Sequence, residues 1–275
     1  MDLTSSTTLN NGLRMPWLGL GVFKTQPGRE VEQAVRWALE IGYRHIDTAS
    51  FYENEDGVGK ALAESGVPRE EVFLTTKVWN TEQGYEETLA AFDRSRRKLR
   101  TDVVDLYLIH WPIERTFKET WKALEKLYAD GNVRAIGVSN FLVHHLQDLM
   151  READVVPAVN QVEWHPFVLQ PELLGFCRKN GIQFEAWSPL TRGRFLDHEV
   201  ITDIARAHGK TPAQVLIRWD LQHEVVTIPK SVHRERIEEN SRVFDFELSD
   251  EEMRKLDALD SNTRIGPDPD EMAEG

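Results

Sequence analysis

The clearest strand in the sequence is Val103-Val104-Asp105-Leu106-Tyr107-Leu108-Ile109-His110, an apolar, β-rich run that ends on a polar side chain. Similar short runs recur before and after it. Together they predict eight strands, of which the other seven occupy residues 17–20, 44–47, 72–78, 135–139, 159–162, 182–187 and 225–229.

Amphipathic helical patterns lie between these runs, and several of them end at a glycine, as at Gly42, Gly131 and Gly181. Strands that alternate with helices build a parallel sheet. Because no composition break or Ser/Pro-rich linker divides the chain, we expect one closed (β/α)8 barrel, a TIM barrel, over residues 1–275. The helical patterns cover residues 29–41, 85–99, 117–129, 143–151 and 171–179.

A doubly wound open sheet is the alternative fold. It requires a Gly-x-Gly-x-x-Gly turn after the first strand, and Gly19-Leu20-Gly21 lacks both the third glycine and a helix start. Residues 7–15 predict a β-hairpin that turns through Asn11-Gly12. We expect this hairpin to close the bottom of the barrel.

Composition excludes several classes of function. The formal net charge of −13 disfavours a nucleic-acid partner, and no apolar run is long enough to span a bilayer. The basic run at residues 94–100 falls at the end of a predicted helix, where cations suit the helix dipole. A single cysteine, Cys177, and a start without signal-peptide features predict a cytoplasmic protein.

Polar side chains stand where the predicted strands end. In a barrel of parallel strands these carboxyl ends share one rim, which is where such barrels carry their chemistry. The sequence therefore predicts a cluster at one mouth, formed by Asp47, Lys77, His110, Ser139-Asn140, Gln161 with Glu163 and His165, Trp187-Ser188 and Lys230-Ser231.

Asp47, Tyr52, Lys77 and His110 are the predicted catalytic residues. Asp47 and Lys77 end neighbouring strands and are expected to form an ion pair, which could also be a purely structural bridge. Tyr52 follows on the next loop, and an ammonium beside it is expected to lower the pKa of the phenol and make it a usable acid. His110 closes an apolar strand and is expected to stay neutral and donate a hydrogen bond.

Motifs around these residues run through nearly the whole chain: Asp47-Thr48-Ala49, Tyr52, Asn54-Glu55 with Gly57 and Gly59, Thr76-Lys77-Val78-Trp79, Leu106-Tyr107-Leu108-Ile109-His110-Trp111-Pro112, Ala135-Ile136-Gly137-Val138-Ser139-Asn140-Phe141, Asn160-Gln161-Val162-Glu163, Ala186-Trp187-Ser188-Pro189-Leu190 and Ile228-Pro229-Lys230-Ser231. They resemble the signatures of the aldo-keto reductases. Within that family the chain is most similar to short bacterial members of the glyoxal/methylglyoxal reductase and 2,5-diketo-gluconate reductase type.

The resemblance implies NADPH-dependent reduction of aldehydes and ketones, by a protein that is a monomer by default. It implies that Tyr52 gives a proton to the carbonyl oxygen while hydride leaves the nicotinamide, that Lys77 and Asp47 tune Tyr52, and that His110 orients the carbonyl. Small dicarbonyls such as methylglyoxal and glyoxal, or keto sugars such as 2,5-diketo-gluconate, are the expected substrates.

The resemblance also implies a cofactor site. Ser139, Asn140 and Gln161 are expected to hold the nicotinamide carboxamide, and Trp187 to stack on the ring. Backbone amides from Ser188 through Leu190 to Gly193 are the expected phosphate cradle. Two cations suit the extra 2′-phosphate of NADPH; the segment that grips this phosphate and the adenine comprises Lys230, Ser231, Val232, His233, Arg236, Glu239 and Asn240.

An apolar funnel above His110 is the predicted substrate pocket, and Phe23, Phe51, Trp79 and Trp111 are expected to line it with His110. The loop at residues 113–116 is short, which predicts an open mouth. The tail, residues 264–275, is expected to lie over that mouth, where its polar composition predicts a mobile segment instead of a deep lid.

Two other functions compete with this interpretation. A metal-dependent barrel hydrolase would gather Asp47, His110, Glu163 and His165 as ligands, although Lys77 would then place a positive charge beside the metal. A non-catalytic NADPH-binding sensor or partner subunit, like the family's channel-associated β-subunits, would keep the fold without turnover. The intact catalytic quartet favours an enzyme, and no metal site is predicted.

Overall fold

The computed structural model describes residues 1–273, and short parallel strands form its centre. Strands β3 to β10 pair strictly in chain order, each with the next. The strands are β1 (Ser6–Thr8), β2 (Arg14–Pro16), β3 (Leu20–Gly21), β4 (His45–Asp47), β5 (Phe73–Val78), β6 (Val104–Ile109), β7 (Val133–Ser139), β8 (Val159–Glu163), β9 (Gln183–Trp187) and β10 (Val226–Thr227).

The sheet closes on itself where its first and last strands meet. Leu18 forms a parallel bridge with Thr227. Gly19 N donates to Thr227 O at 2.9 Å, and Thr227 N donates to Trp17 O at 3.0 Å. This seam and the sequential strand order confirm the predicted (β/α)8 barrel, and the doubly wound alternative is wrong because its sheet would remain open.

The amino-terminal hairpin lies across the bottom of the barrel, as predicted. Strands β1 and β2 pair antiparallel, and Gly12 takes a φ of +86° in the turn between them. Asn10 Nδ2 donates to Pro157 O at 3.0 Å and Asn11 Nδ2 donates to Arg134 O at 2.9 Å, which ties the turn to the amino ends of two strands. Met15 is fully buried against the barrel interior.

Helices surround the barrel, and several of them bury one apolar face against it. Helix α1, for example, buries Val31, Ala34, Val35 and Ala38 at helical spacing and ends at Gly42, whose φ is +115°. The helices are α1 (Arg29–Ile41), α2 (Glu55–Glu64), α3 (Tyr85–Lys98), α4 (Phe117–Ala129), α5 (Val143–Met150), α6 (Pro171–Lys179), α7 (Glu199–His208), α8 (Pro212–Gln222), α9 (Arg234–Ser241), α10 (Asp250–Asp257) and α11 (Pro269–Ala273).

The basic run at residues 94–100 and Trp164 both have structural roles. The basic run ends α3, where Arg96 and Arg97 pair with Asp93 at 2.8 and 2.5 Å. Trp164 is buried and stacks on Trp219 of α8, with ring centroids 5.3 Å apart.

Over residues 1–273, no helix combines the length and the apolar character that crossing a bilayer requires.

Candidate active site

One cavity of about 990 Å³ opens at the carboxyl ends of the strands, and it brings together nearly all the predicted site residues. Of the catalytic, cofactor and substrate residues predicted from sequence, only Lys77 does not line it. The predicted residues that do are Phe23, Asp47, Phe51, Tyr52, Trp79, His110, Trp111, Ser139, Asn140, Gln161, Trp187, Ser188, Leu190, Lys230, Ser231, Val232, His233, Arg236, Glu239 and Asn240.

Lys77 lies directly below the cavity floor and connects two of the lining residues. Its side chain is fully buried on β5, and its Nζ donates to Asp47 Oδ1 at 2.6 Å and to Thr48 O at 2.9 Å. The same nitrogen donates to Tyr52 Oη at 3.4 Å. Tyr52 ends the short 3₁₀ helix that follows β4, which turns its phenol back over Asp47 and Lys77. Three of the four predicted catalytic groups therefore form one contact chain.

The protonation of this group differs from the expectation drawn from sequence. Desolvation raises the pKa of Tyr52 to about 12, and the nearby Lys77 ammonium only partly opposes that rise. The predicted lowering of this pKa is wrong, because the loss of water around the phenol outweighs the attraction of the ammonium. Desolvation disfavours the Lys77 ammonium, yet Asp47 and Tyr52 outweigh it and raise the pKa of Lys77. At neutral pH the Tyr52 phenol therefore carries its proton and lies beside the positively charged Lys77 ammonium.

His110 follows β6 at the rim and faces Tyr52 across the cavity. The two ring centroids lie 5.7 Å apart, and the Trp79 ring lies 5.0 Å from the His110 ring. Desolvation, with the Lys77 charge, holds the pKa of His110 well below its ordinary value, so the imidazole is neutral as predicted. Its Nδ1 is buried with no hydrogen-bond partner among residues 1–273, which leaves Nε2 as the nitrogen that a ligand can reach.

The residues predicted to hold the nicotinamide are hydrogen-bonded to one another and to their neighbours. Asn140 donates through Nδ2 to His110 O at 2.9 Å and accepts through Oδ1 from Trp187 Nε1 at 2.8 Å. Ser139 Oγ donates to Gln161 O at 2.8 Å. Asn140 adopts a left-handed φ of +65° at the end of β7, a conformation that asparagine tolerates and that turns its side chain into the mouth. These bonds fix the orientation of the Trp187 indole.

The loop after β9 is only partly free to cradle phosphate. Thr191 N and Gly193 N already donate to Ser188 O and Leu190 O, at 2.9 and 2.7 Å, so these two amides do not point at a ligand. Ser188, Thr191 and Arg192 all have positive φ, which makes the loop a compact and strained turn. Fewer backbone amides of residues 188–193 are therefore free to bind phosphate than the sequence predicted.

The far end of the cavity carries unneutralised cations. Lys230 and Arg236 line it, and neither forms a salt bridge with a carboxylate of residues 1–273; the Glu30 carboxylate acts on Lys230 only from beyond 4.0 Å. Glu239, by contrast, is anchored, since its Oε1 accepts from Thr211 Oγ1 at 2.9 Å. Cations left without a counter-ion at a pocket wall suit an anionic ligand, so this end fits the extra phosphate of NADPH.

Two cations at the mouth were missed by the sequence analysis. Lys24 Nζ and the Arg192 guanidinium lie 5.5 and 5.6 Å from the centre of the Phe23 ring, and both side chains line the cavity. Both residues sit in loops at positive φ, where no periodic pattern marks them. The other missed residues are Gly21, Leu196 and Ile228, together with Thr211, Pro212 and Ala213 at the start of α8 and Pro267 and Met272 in the tail.

The tail lies over the mouth, where two of its backbone amides bond to Glu163. Ile265 N and Gly266 N donate to the two carboxylate oxygens of Glu163, at 2.5 and 3.0 Å, and His165 Nε2 lies 3.1 Å from Glu163 Oε1. Desolvation opposes this charge, but the three bonds outweigh it and lower the pKa of Glu163. Residues 274 and 275 of the predicted tail lie outside the described residues.

Glu163 and His165 are thereby occupied in holding the tail, so they do not join Asp47 and His110 as metal ligands. Among residues 1–273, the one group of three His, Cys, Asp or Glu side chains with metal-compatible spacing is His144, His145 and Asp270. It lies away from the catalytic quartet, between α5 and α11. The site proposed for a metal-dependent hydrolase is therefore not assembled.

Gly266 packs directly on the indole of Trp187. A Cβ at this position would lie 2.4 Å from Trp187 Cη2, so Gly266→Ala is expected to displace the indole or the tail. We expect the Kd for NADPH to rise roughly fivefold or more, measured by fluorescence titration. Gly175→Ala in α6 is the matched control, since its Cβ would meet nothing within 4 Å. Equal NADPH affinity in the two variants would refute a role for this contact.

Comparison with known proteins gives a consistent result. A model of the Aldo/keto reductase family matches residues 17–261. Glyoxal reductase of Bacillus subtilis (strain 168) is 58% identical over 271 residues, which cover 98% of each chain. Methylglyoxal reductase DkgA of Salmonella typhimurium is 47% identical, with 96% of each chain covered. A mutant of Gox0644, crystallised in complex with NADPH, superposes with a TM-score of 0.92 at 46% identity and 97% coverage of both chains.

Proposed function

The chain belongs to the Aldo/keto reductase family, and from this we propose that it reduces small dicarbonyl compounds at the cavity around Tyr52. It is an NADPH-dependent oxidoreductase that converts the carbonyl group of a small molecule into an alcohol. The assignment of individual residues and of the substrate class is our proposal. The observation that carries it is the contact chain from Asp47 through Lys77 to Tyr52, with a neutral His110 opposite.

We assign the proton transfer to Tyr52. When bound, NADPH supplies the hydride. The phenol is protonated at neutral pH and lines the cavity, so it can give its proton to a carbonyl oxygen. The phenolate left behind would be costly without a counter-charge, and the Lys77 ammonium 3.4 Å away provides one. Asp47 keeps Lys77 charged through its 2.6 Å bond, and a hydrogen bond from His110 would orient the carbonyl.

The wall around these groups suits a small, flat substrate. Phe51 and Trp79 stack with ring centroids 3.8 Å apart, and Phe23 lies 5.0 Å from Tyr52. Aromatic rings on the sides and two polar donors at the floor favour a compact carbonyl compound over a large polar one. Glyoxal and methylglyoxal, the compounds in the names of the two relatives, fit this description, and a keto sugar acid would use the cations Lys24 and Arg192.

A substrate panel tests this proposal. Loss of NADPH absorbance is followed with methylglyoxal, glyoxal, a diketo sugar acid and aromatic aldehydes. We expect the highest kcat/KM for the two small dicarbonyls. Binding of NADPH without turnover of any carbonyl would contradict the proposal and favour a sensor or partner subunit.

Arg236 is expected to set the preference for NADPH over NADH. A charged hydrogen bond to phosphate contributes about 1.5–3 kcal/mol, so Arg236→Ala should lower the ratio of kcat/KM for NADPH to that for NADH by roughly 10- to 100-fold. Arg234→Ala is the matched control, because Arg234 lies on the same helix but pairs with Glu40 at 3.0 Å. An unchanged ratio in Arg236→Ala would remove this residue from the phosphate site.

A further inference from the structure

A buried carboxyl group, Glu185, lies beneath the proposed nicotinamide site and has no part in the mechanism above. It sits on β9, two residues before Trp187, so both side chains point to the barrel interior. Its side chain is fully buried. A carboxyl in such a place is costly unless its polar atoms are used.

Glu185 and Asp47 together occupy the amide nitrogen of Gln161. Gln161 Nε2 donates to Asp47 Oδ2 at 2.7 Å and to Glu185 Oε2 at 2.9 Å. An amide nitrogen carries two hydrogens, so both are used. The reversed amide would lose both bonds and turn its oxygen toward these acceptors, so Asp47 and Glu185 together fix the orientation of the amide. Gln161 Oε1 is then the polar atom of this side chain that remains available to a ligand in the cavity.

The charge state of Glu185 allows it to accept this bond without disturbing Asp47 and Lys77. Desolvation, followed by the charge of Asp47, raises the pKa of Glu185 to about 8. Desolvation also lowers the pKa of His45, whose Nε2 lies 3.7 Å from Glu185 Oε1, to about 3. Both groups are therefore neutral at pH 7. A second negative charge next to Asp47 would compete for Lys77, and a protonated carboxyl avoids it.

We propose that Glu185 is a positioning residue that locks the amide of Gln161, so that Gln161 Oε1 faces the cofactor as an acceptor for the N–H of the nicotinamide carboxamide. The inference rests on the proposed function, since it needs a nicotinamide in this cavity. The proposed role of Glu185 requires that the cofactor carry a hydrogen-bond donor at its carboxamide. The proposed roles of the four catalytic residues do not require this.

A cofactor analogue tests this requirement. The 3-acetylpyridine analogue of NADP⁺ has an acetyl group in place of the carboxamide and therefore no N–H to donate. The Kd values of NADP⁺ and of the analogue are measured by quenching of tryptophan fluorescence. Wild-type protein is expected to bind NADP⁺ about fivefold more tightly than the analogue, the value of one hydrogen bond.

Substitutions at Glu185 should change this preference selectively. Glu185→Met removes one of the two acceptors at similar volume and leaves the Gln161 amide held by Asp47 alone, so the fivefold preference should fall to about twofold or less. Glu185→Gln retains an acceptor oxygen and should retain the preference. Asp220→Asn is the control, because Asp220 is equally buried but contacts Thr227 and not Gln161, and it should leave the preference intact. Glu185→Thr, too short to reach Gln161, replaces Glu185→Met if thermal unfolding shows that the latter does not fold.

The outcomes distinguish a failure of the proposed function from a failure of the role proposed for Glu185. A wild-type protein that binds neither nucleotide would overturn the proposed function. A wild-type preference that survives in Glu185→Met, or in its threonine substitute, would overturn only the role of Glu185. Loss of the preference in Glu185→Gln as well would also overturn it, because that variant keeps the acceptor.

Discussion

Tyr52→Phe is expected to lower kcat about 10³-fold while the Kd for NADPH changes less than twofold. The substitution deletes one hydroxyl, which is the proton donor in the proposed reaction, and general acid catalysis typically contributes 10²- to 10⁴-fold. The apolar ring, which packs 5.0 Å from Phe23, remains. Single-turnover kinetics with saturating NADPH separate the loss in the chemical step from any change in binding.

Tyr107→Phe is the matched control for this experiment. Tyr107 is fully buried on β6, and its hydroxyl has no hydrogen-bond partner among residues 1–273. Its loss should leave kcat unchanged. Full activity in Tyr52→Phe would remove Tyr52 as the proton donor and with it the proposed mechanism.

Lys77→Met is expected to cost both activity and stability. It removes the counter-charge of the Tyr52 phenolate and leaves Asp47 buried without a partner ammonium. Breaking a buried ion pair by removing one partner destabilises proteins by about 3–5 kcal/mol, and we expect a loss of that size in the free energy of unfolding. We expect kcat to fall at least 10²-fold, since the phenol then loses the cation that supports its ionised form.

The pH dependence of this loss has a definite sign. Desolvation already raises the pKa of Asp47, and loss of the Lys77 ammonium, which opposes that rise, raises the pKa further. The unpaired carboxylate therefore destabilises the fold increasingly as the pH rises above the unfolded-state pKa. The destabilisation should therefore be smaller at pH 5 than at pH 8, because the carboxyl takes up a proton as the pH falls. Chemical denaturation at both values measures this. The double variant Lys77→Met/Asp47→Asn should recover stability but not activity, and a double variant as unstable as the single one would contradict the argument.

The barrel and the catalytic quartet were predictable because each depends on short-range pattern. Residues 103–110 show a strand whose polar end, His110, marks the rim, and the same logic applies to Asp47 and Lys77. Once the strands are known to be parallel, their carboxyl ends must meet, so no tertiary information was needed to bring these residues together.

The parts that sequence missed depend on three-dimensional packing. The pKa of Tyr52 rises because neighbouring side chains exclude water, which motif spacing does not report. The tail is held by Glu163, about one hundred positions earlier in the chain, through backbone amides that carry no side-chain signature. Lys24 and Arg192 lie in loops at positive φ, outside any helix or strand period.

The seam between Leu18 and Thr227 also has a consequence for how the protein is made. The first barrel strand has hydrogen-bonding partners on one side only until the last strand exists, and that strand lies near the far end of the chain. During synthesis, at about 5–20 residues per second, a ribosome must deliver most of the polypeptide before the ring can shut. The nascent chain therefore carries an open strand edge for many seconds, a template for unwanted pairing that the finished molecule no longer exposes.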